Sequence, residues 1–147
     1  MELVSDRRWC LDAGPDAVWA ALADTAEYRT WWPWLTSFDA AGLVAGARWR
    51  CTVRPPLRYS VRFAIDLEQV EPSAGVTARV TGDITGRARV DITECGARSE
   101  VRLTSALTPT RRSMALLTAI AGPIARRSHD WVLDTGARQF AARAVAH

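Results

Sequence analysis

Residues Tyr59 to Glu68 alternate without a fault: Tyr59, Val61, Phe63, Ile65 and Leu67 share one parity, and Ser60, Arg62, Ala64, Asp66 and Glu68 share the other. Only an extended backbone, whose side chains repeat every two residues, gathers those five apolar groups on one face and leaves the charged set on the opposite face. A strand with one greasy face cannot stand alone. It needs neighbours that repeat the pattern and a further element to cover them.

The neighbours are present. Before this segment, Trp49, Cys51 and Val53 alternate within Arg48 to Arg54, and Leu35 to Ala40 reads as another strand after Trp34. After it, Val76, Ala78 and Val80, then Ala88, Val90 and Ile92, then Val101, Leu103, Ser105 and Leu107 repeat the alternation. Short turn segments at 42–46, 71–75, 82–83 and 95–97 separate them, and Gly82 can supply the positive φ of a tight hairpin turn. This is the pattern of an antiparallel meander with one covered face.

Two short helices and one long one remain. Leu3 to Leu11 is a first strand, Pro15 suits the first position of a helix carrying Val18, Trp19 and Leu22, and Thr25 to Thr30 forms a second helix that Pro33 ends. Pro109 ends the sheet, and Thr110 to Ala144 reads as helical, with Leu117, Ile120, Ala121, Ile124, Ser128, Trp131 and Thr135 on one stripe. Pro123 interrupts that stretch, so the main helix is expected from about Pro123 to Arg143. With no repeat or linker, residues 1–147 are expected to form one α+β domain of helix-grip type. Its curved antiparallel sheet of six to seven strands wraps the long C-terminal helix, with the two short helices following the first strand.

Charge and cysteine usage narrow the partners. All nineteen basic residues are arginine, but sixteen carboxylates are interspersed with them and the formal net charge is only +3, too weak a field for a nucleic-acid surface. Cys10, Cys51 and Cys95 suggest neither a disulfide framework nor a zinc site, and a reducing cytoplasm fits them. Two histidines without ligand spacing, and no glycine-rich loop between a strand and a helix, give no reason to expect a metal or a cofactor. The N-terminus lacks the apolar core of a signal peptide. The apolar run Met114 to Ala125 is too short to span a bilayer, so stable membrane insertion is not expected; it packs under the sheet edge or makes a homodimer contact or shallow membrane touch.

Strand parity sorts the remaining groups. Arg48, Arg50, Arg54, Arg62, Arg79, Arg87, Arg89 and Arg102 fall opposite the apolar face. Left inward are Trp49, Cys51, Tyr59, Val61, Phe63, Ile65, Val80, Val90, Leu103 and Ser105, a wall suited to an apolar ligand, with Trp131 and Thr135 facing it from the helix stripe. Seven tryptophans, where a chain of this size carries about two, add Trp31, Trp32 and Trp34 as an aromatic rim or as core. Groups able to move protons are few: Tyr59, His129, Asp83 and Asp134 are the catalytic candidates, with Asp130 beside them and an ordinary Asp134–Arg138 pair as the plainer reading.

Four segments together resemble the START-like or SRPBCC superfamily, its polyketide cyclase/dehydrase group and the birch-pollen-allergen fold. They are Pro15 to Trp19, the tryptophan-rich Tyr28 to Trp34, the Gly82 to Gly86 turn, and His129 to Asp134. The resemblance covers nearly the whole chain, and places Trp31, Trp32 and Trp34 near a pocket mouth. It implies an internal pocket for a small apolar molecule: an aromatic polyketide, an isoprenoid or an acyl chain. It leaves open an aromatase or cyclase working in the same pocket, and an interaction or homodimerisation module.

Overall fold

A computed structural model of the protein describes residues 3–40, 42–54, 60–110 and 123–142, the last segment with side chains from Asp130 onward. Seven strands form one antiparallel sheet: β1 Leu3–Leu11, β2 Leu35–Asp39, β3 Arg48–Val53, β4 Val61–Glu71, β5 Gly75–Gly82, β6 Ile84–Cys95 and β7 Arg98–Pro109. Strands β2 to β7 follow one another as a meander, and β1 joins its far edge beside β7, giving the order β1-β7-β6-β5-β4-β3-β2. Strands β1 and β2 thus lie at opposite edges of the sheet. The chain between them forms helix α1 Pro15–Ala23, a 3₁₀ turn Thr25–Glu27 and helix α2 Tyr28–Trp31. Helix α3, Pro123–Phe140, follows the sheet and begins at the proline that the sequence marks as a helix start.

Alternation sets the faces, with two bulges as exceptions. Between Leu67 and Gln69 the β4–β5 register shifts, so that Glu68 and Gln69 are both exposed while Val70, opposite Val76, packs against the core. A similar shift between Leu35 and Ser37 lets Leu35 and Phe38 both turn inward. Neither shift shows in a period-two reading, because the extra residue is polar and looks like any outward position.

The β5–β6 connection is wider than a two-residue hairpin. Val80 pairs with Gly86, Gly82 stays paired with Phe63 of β4, and Ile84 pairs with Pro109 of β7. Asp83 bridges the corner: its N–H donates to the Arg62 carbonyl at 2.9 Å, its carboxylate accepts from the Arg62 N–H at 2.9 Å, and its carbonyl accepts from the Thr110 N–H at 3.0 Å. Gly82 and Gly86 hold φ values of 129° and 155°, conformations closed to residues with a Cβ.

The core gathers where the short helices close the sheet. Tyr28 is its hub, stacked on Phe38 at 5.2 Å and set edge-on to Trp32 at 4.7 Å and Trp49 at 5.7 Å; its hydroxyl donates to the Leu22 carbonyl. Trp31 is buried beside it, and the Trp49 indole donates to the Gly42 carbonyl at 2.8 Å. Cys51 is buried in the same cluster, and burial pushes its thiol up to about 12; burial, then Asp24 and Cys51, likewise raise the Tyr28 phenol.

Two outcomes follow. A Cβ at Gly86 would lie 1.9 Å from the Ala106 carbonyl oxygen, whereas one at Gly96, φ 65°, meets open space. Urea denaturation should show Gly86→Ala losing about 3 kcal/mol or more, and Gly96→Ala only about 1–2 kcal/mol; equal losses would contradict the corner geometry. Because the folded protein holds the Cys51 proton more tightly than the unfolded chain, with its ordinary value near 9, stability should be full below pH 9 and fall as pH rises toward 12. Cys51→Ala should flatten part of that fall, the rest following Tyr28, and a thiol reagent at pH 8 should label Cys10 and Cys95 while sparing Cys51 until the protein unfolds.

Candidate functional site

Helix α3 crosses the concave face of the sheet and is held there by the connection between α2 and β2. The Trp32 indole donates to the Gly136 carbonyl at 2.9 Å, and the Trp34 indole donates to Gln139 Oε1 at 2.8 Å. The two rings stack, with centroids 5.7 Å apart and planes at 29°. Gly136 permits this approach, since a Cβ there would lie 3.1 Å from the Trp34 ring. Phe140, one turn on, is buried edge-on against Trp31 at 5.6 Å. At the other side Arg7 of β1 turns inward and pairs with Asp130 at 2.8 Å, with Asp134 at 3.8 Å from the same guanidinium.

Between these anchors lies a hollow of about 210 Å³. Its walls are Trp9 and Leu11 of β1, Leu22 of α1, Trp32 and Trp34, Val90 of β6, Val101 and Leu103 of β7, and Val132, Leu133, Gly136, Ala137 and Phe140 of α3. None of these side chains titrates in the physiological range or offers a nucleophile. The chemistry of the described lining is dispersion, aromatic stacking and exclusion of water.

Of the residues singled out from the sequence, Trp32, Trp34, Val90 and Leu103 meet at this hollow. Trp31, Trp49 and Cys51 are buried in the core instead, with Phe63 and Ile65 packed against it. Val61 lies at the start of β4 on the parity of Phe63, and Val80 is buried on β5. Ser105 is buried directly opposite the buried Ser5 of β1, and Thr135 is buried on α3. Trp131 departs from expectation: it is 36% exposed. At about 100° per residue it stands about 140° round the helix from Gly136, so it cannot face Trp49 or Phe63 across the hollow. Tyr59 and the side chain of His129 lie outside the described residues, as does the Met114–Ala125 segment apart from the backbone of its last residues.

The acidic candidates have other partners. Asp83 is committed to the Arg62 amide at the β5–β6 corner, away from the hollow. Asp134 lies 3.8 Å from Arg7 of β1, and no ion pair joins it to Arg138 among the described residues. No group of three or more His, Cys, Asp or Glu suited to a metal occurs among the described residues, and no helix there is long and apolar enough to cross a membrane.

The lining residues not anticipated are those of β1, α1 and α3, and Val101 of β7. Trp9 and Leu11 share a parity, as do Val101 and Leu103, and Val132, Leu133, Gly136 and Phe140 recur at helical spacing. That second stripe was a readable signal, running one position beside the stripe through Trp131 and Thr135.

Comparison with known proteins places this architecture. The family described as polyketide cyclase / dehydrase and lipid transport matches residues 9–145. A START superfamily protein from Mycobacterium smegmatis superposes with a TM-score of 0.74 at 11% identity, over 96% of each chain. The ZhuI aromatase/cyclase from Streptomyces sp. R1128 gives 0.71 at 15% identity, over 99% of this chain and 93% of that one. Truncated norcoclaurine synthase from Thalictrum flavum gives 0.70 at 9% identity, over 100% and 96%. No sequence among the curated proteins matches significantly. At such identities the structural likeness establishes the helix-grip fold, and the match across nearly the whole sequence establishes kinship: the chain belongs to the polyketide cyclase/dehydrase and lipid-transport family.

Proposed function

We propose that this protein binds a small apolar molecule in the hollow between the sheet and α3. The observation that carries this reading is the composition of the walls: thirteen residues from three strands, two helices and the α2–β2 connection converge on one space, all of them apolar, aromatic or glycine. The indole N–H groups of Trp32 and Trp34 are already bound by α3, so they add no unmet polarity. Burying apolar ligand surface there gains roughly 25 cal/mol per Å² removed from water. The family description, which includes lipid transport, agrees with such a role.

Size narrows the ligand. A volume near 210 Å³ exceeds the roughly 150 Å³ cavity that holds a benzene, yet falls short of the roughly 300 Å³ at which drug-sized pockets begin. One or two aromatic rings, a short isoprenoid or a segment of an acyl chain fit; a multi-ring polyketide does not fit without movement of α3. On the enzymatic alternative the same hollow would hold a reactive poly-β-keto chain while Tyr59 or His129 moved protons. The described walls supply no acid or base, which favours binding over turnover. A reducing cytoplasm suits the three unpaired cysteines.

Titration with 2-naphthol, geraniol and decanoate should quench tryptophan fluorescence saturably for at least one of them, since Trp9, Trp32 and Trp34 all line the space. Ala137→Phe fills the hollow from α3 and should weaken that binding about tenfold or more, with the thermal transition retained. A flat response from all three probes, or unaltered affinity in the folded variant, would remove the proposal. Turnover of a cyclisable poly-β-keto thioester that disappears in Tyr59→Phe or His129→Ala would transfer the site to the enzymatic alternative.

A further inference from the structure

The outer face of the sheet carries arginines and carboxylates in alternation, and over most of its width they pair. Arg102 holds Asp6 through two contacts at 2.9 and 2.6 Å, Arg8 reaches Glu100 at 3.8 Å, Arg89 meets Asp91 at 2.9 Å, and Arg87 and Arg79 share Glu68 at 3.1 and 3.9 Å. At β3 and β4 the pairing is incomplete. Arg48 has Asp66 at 3.6 Å, but Arg50 and Arg62 have no carboxylate within 4.0 Å among the described residues. Across the β3–β4 ladder Arg50 stands opposite Ala64, and Arg62 stands opposite Thr52. On the β2 side Arg50 stands opposite Asp39, yet the two make no ion pair. The two arginines are therefore diagonal neighbours, an arrangement in which like charges about 7–8 Å apart repel unless an anion lies between them.

Together with Arg48 they line a depression of about 780 Å³. Ala64, only 8% exposed although it points outward, forms part of its floor, and Ser37, Thr52, Thr81 and Thr85 also line it, while the Thr110 hydroxyl at its edge is donated to the Gly82 carbonyl at 2.9 Å. Asp83 is the single carboxylate of the lining, against three guanidinium groups, and one of its oxygens is already taken by the Arg62 amide. The depression shares no lining residue with the apolar hollow and lies on the opposite face of the sheet.

We propose that this outer-face depression is a second binding site, which takes a soluble phosphate-bearing molecule with Arg50 and Arg62 on its phosphoryl oxygens. Guanidinium groups match phosphate in both charge and fork geometry, and two of them left without carboxylates retain their full set of donors. Threonine hydroxyls complete an oxyanion shell. Contacts between exposed guanidinium groups and phosphate are screened by ions, so binding here weakens as ionic strength rises.

Inorganic pyrophosphate, titrated at low ionic strength and followed by calorimetry, should bind saturably at one site. Arg50→Gln and Arg62→Gln should each weaken it about tenfold, while Arg87→Gln, which removes an arginine already held by Glu68, should leave it unchanged. Lack of saturable binding, or an equal loss in Arg87→Gln, would overturn the site. Retention of the protein on phosphatidylglycerol vesicles without any pyrophosphate binding would overturn it too, in favour of a membrane surface. Both readouts are independent of the apolar hollow, so this result stands or falls apart from the proposed apolar ligand.

Discussion

The clamp that Trp32 and Trp34 close on α3 fixes the distance between helix and sheet, and the interior of the protein follows from that distance. The two stacked indoles stand between the last helix and the end of the sheet, each tied to it by an N–H bond. Gly136 lets the helix come close at the point of contact, but the width of the rings keeps it from settling onto Val90 and Leu103. Close packing would otherwise erase such a space, because every void forfeits contacts. The hollow is thus maintained by bulky groups at its rim.

Among the described residues charge is separated across the sheet, and Arg7 is the exception. The outer face is a lattice of arginines and carboxylates, each exposed pair contributing little to stability on its own. Inside, Arg7 breaks the rule, and it does so where α3 presents Asp130 and Asp134. This pair draws the helix toward the β1 edge while the tryptophan clamp holds its C-terminal half. The helix is therefore located by polar contacts at two places and by apolar packing along its length. The core below, centred on Tyr28, is occupied by aromatic rings, which explains why residues of the same inward parity divide between core and hollow.

That division marks the limit of what strand parity can say. Parity identifies a face, but the inward face of the whole sheet serves two purposes, and only the positions of Tyr28 and α3 decide which part is covered solid. Trp49 and Cys51 lie under Tyr28 and are filled, whereas Leu103 and Val90 lie beyond the clamp and are not. Helix rotation is the second limit. The stripe through Trp131 and Thr135 and the stripe through Val132, Gly136 and Phe140 are nearly equivalent on paper, and Trp34 settles the choice by requiring a residue without a side chain at its point of contact.

The sequence alone determined the extended strands, the start of α3 at Pro123, and the segregation of eight arginines from the apolar set, because each depends on local backbone geometry and a fixed period. Tertiary structure alone decided the rest. It shifted register at the two bulges, brought Arg7 to Asp130, set Asp134 near Arg7, exposed Trp131, and left Arg50 and Arg62 opposite Ala64 and Thr52 across the β3–β4 ladder. Each of these is a choice between partners far apart in the chain, and no periodicity records which distant side chain will arrive within a few ångströms.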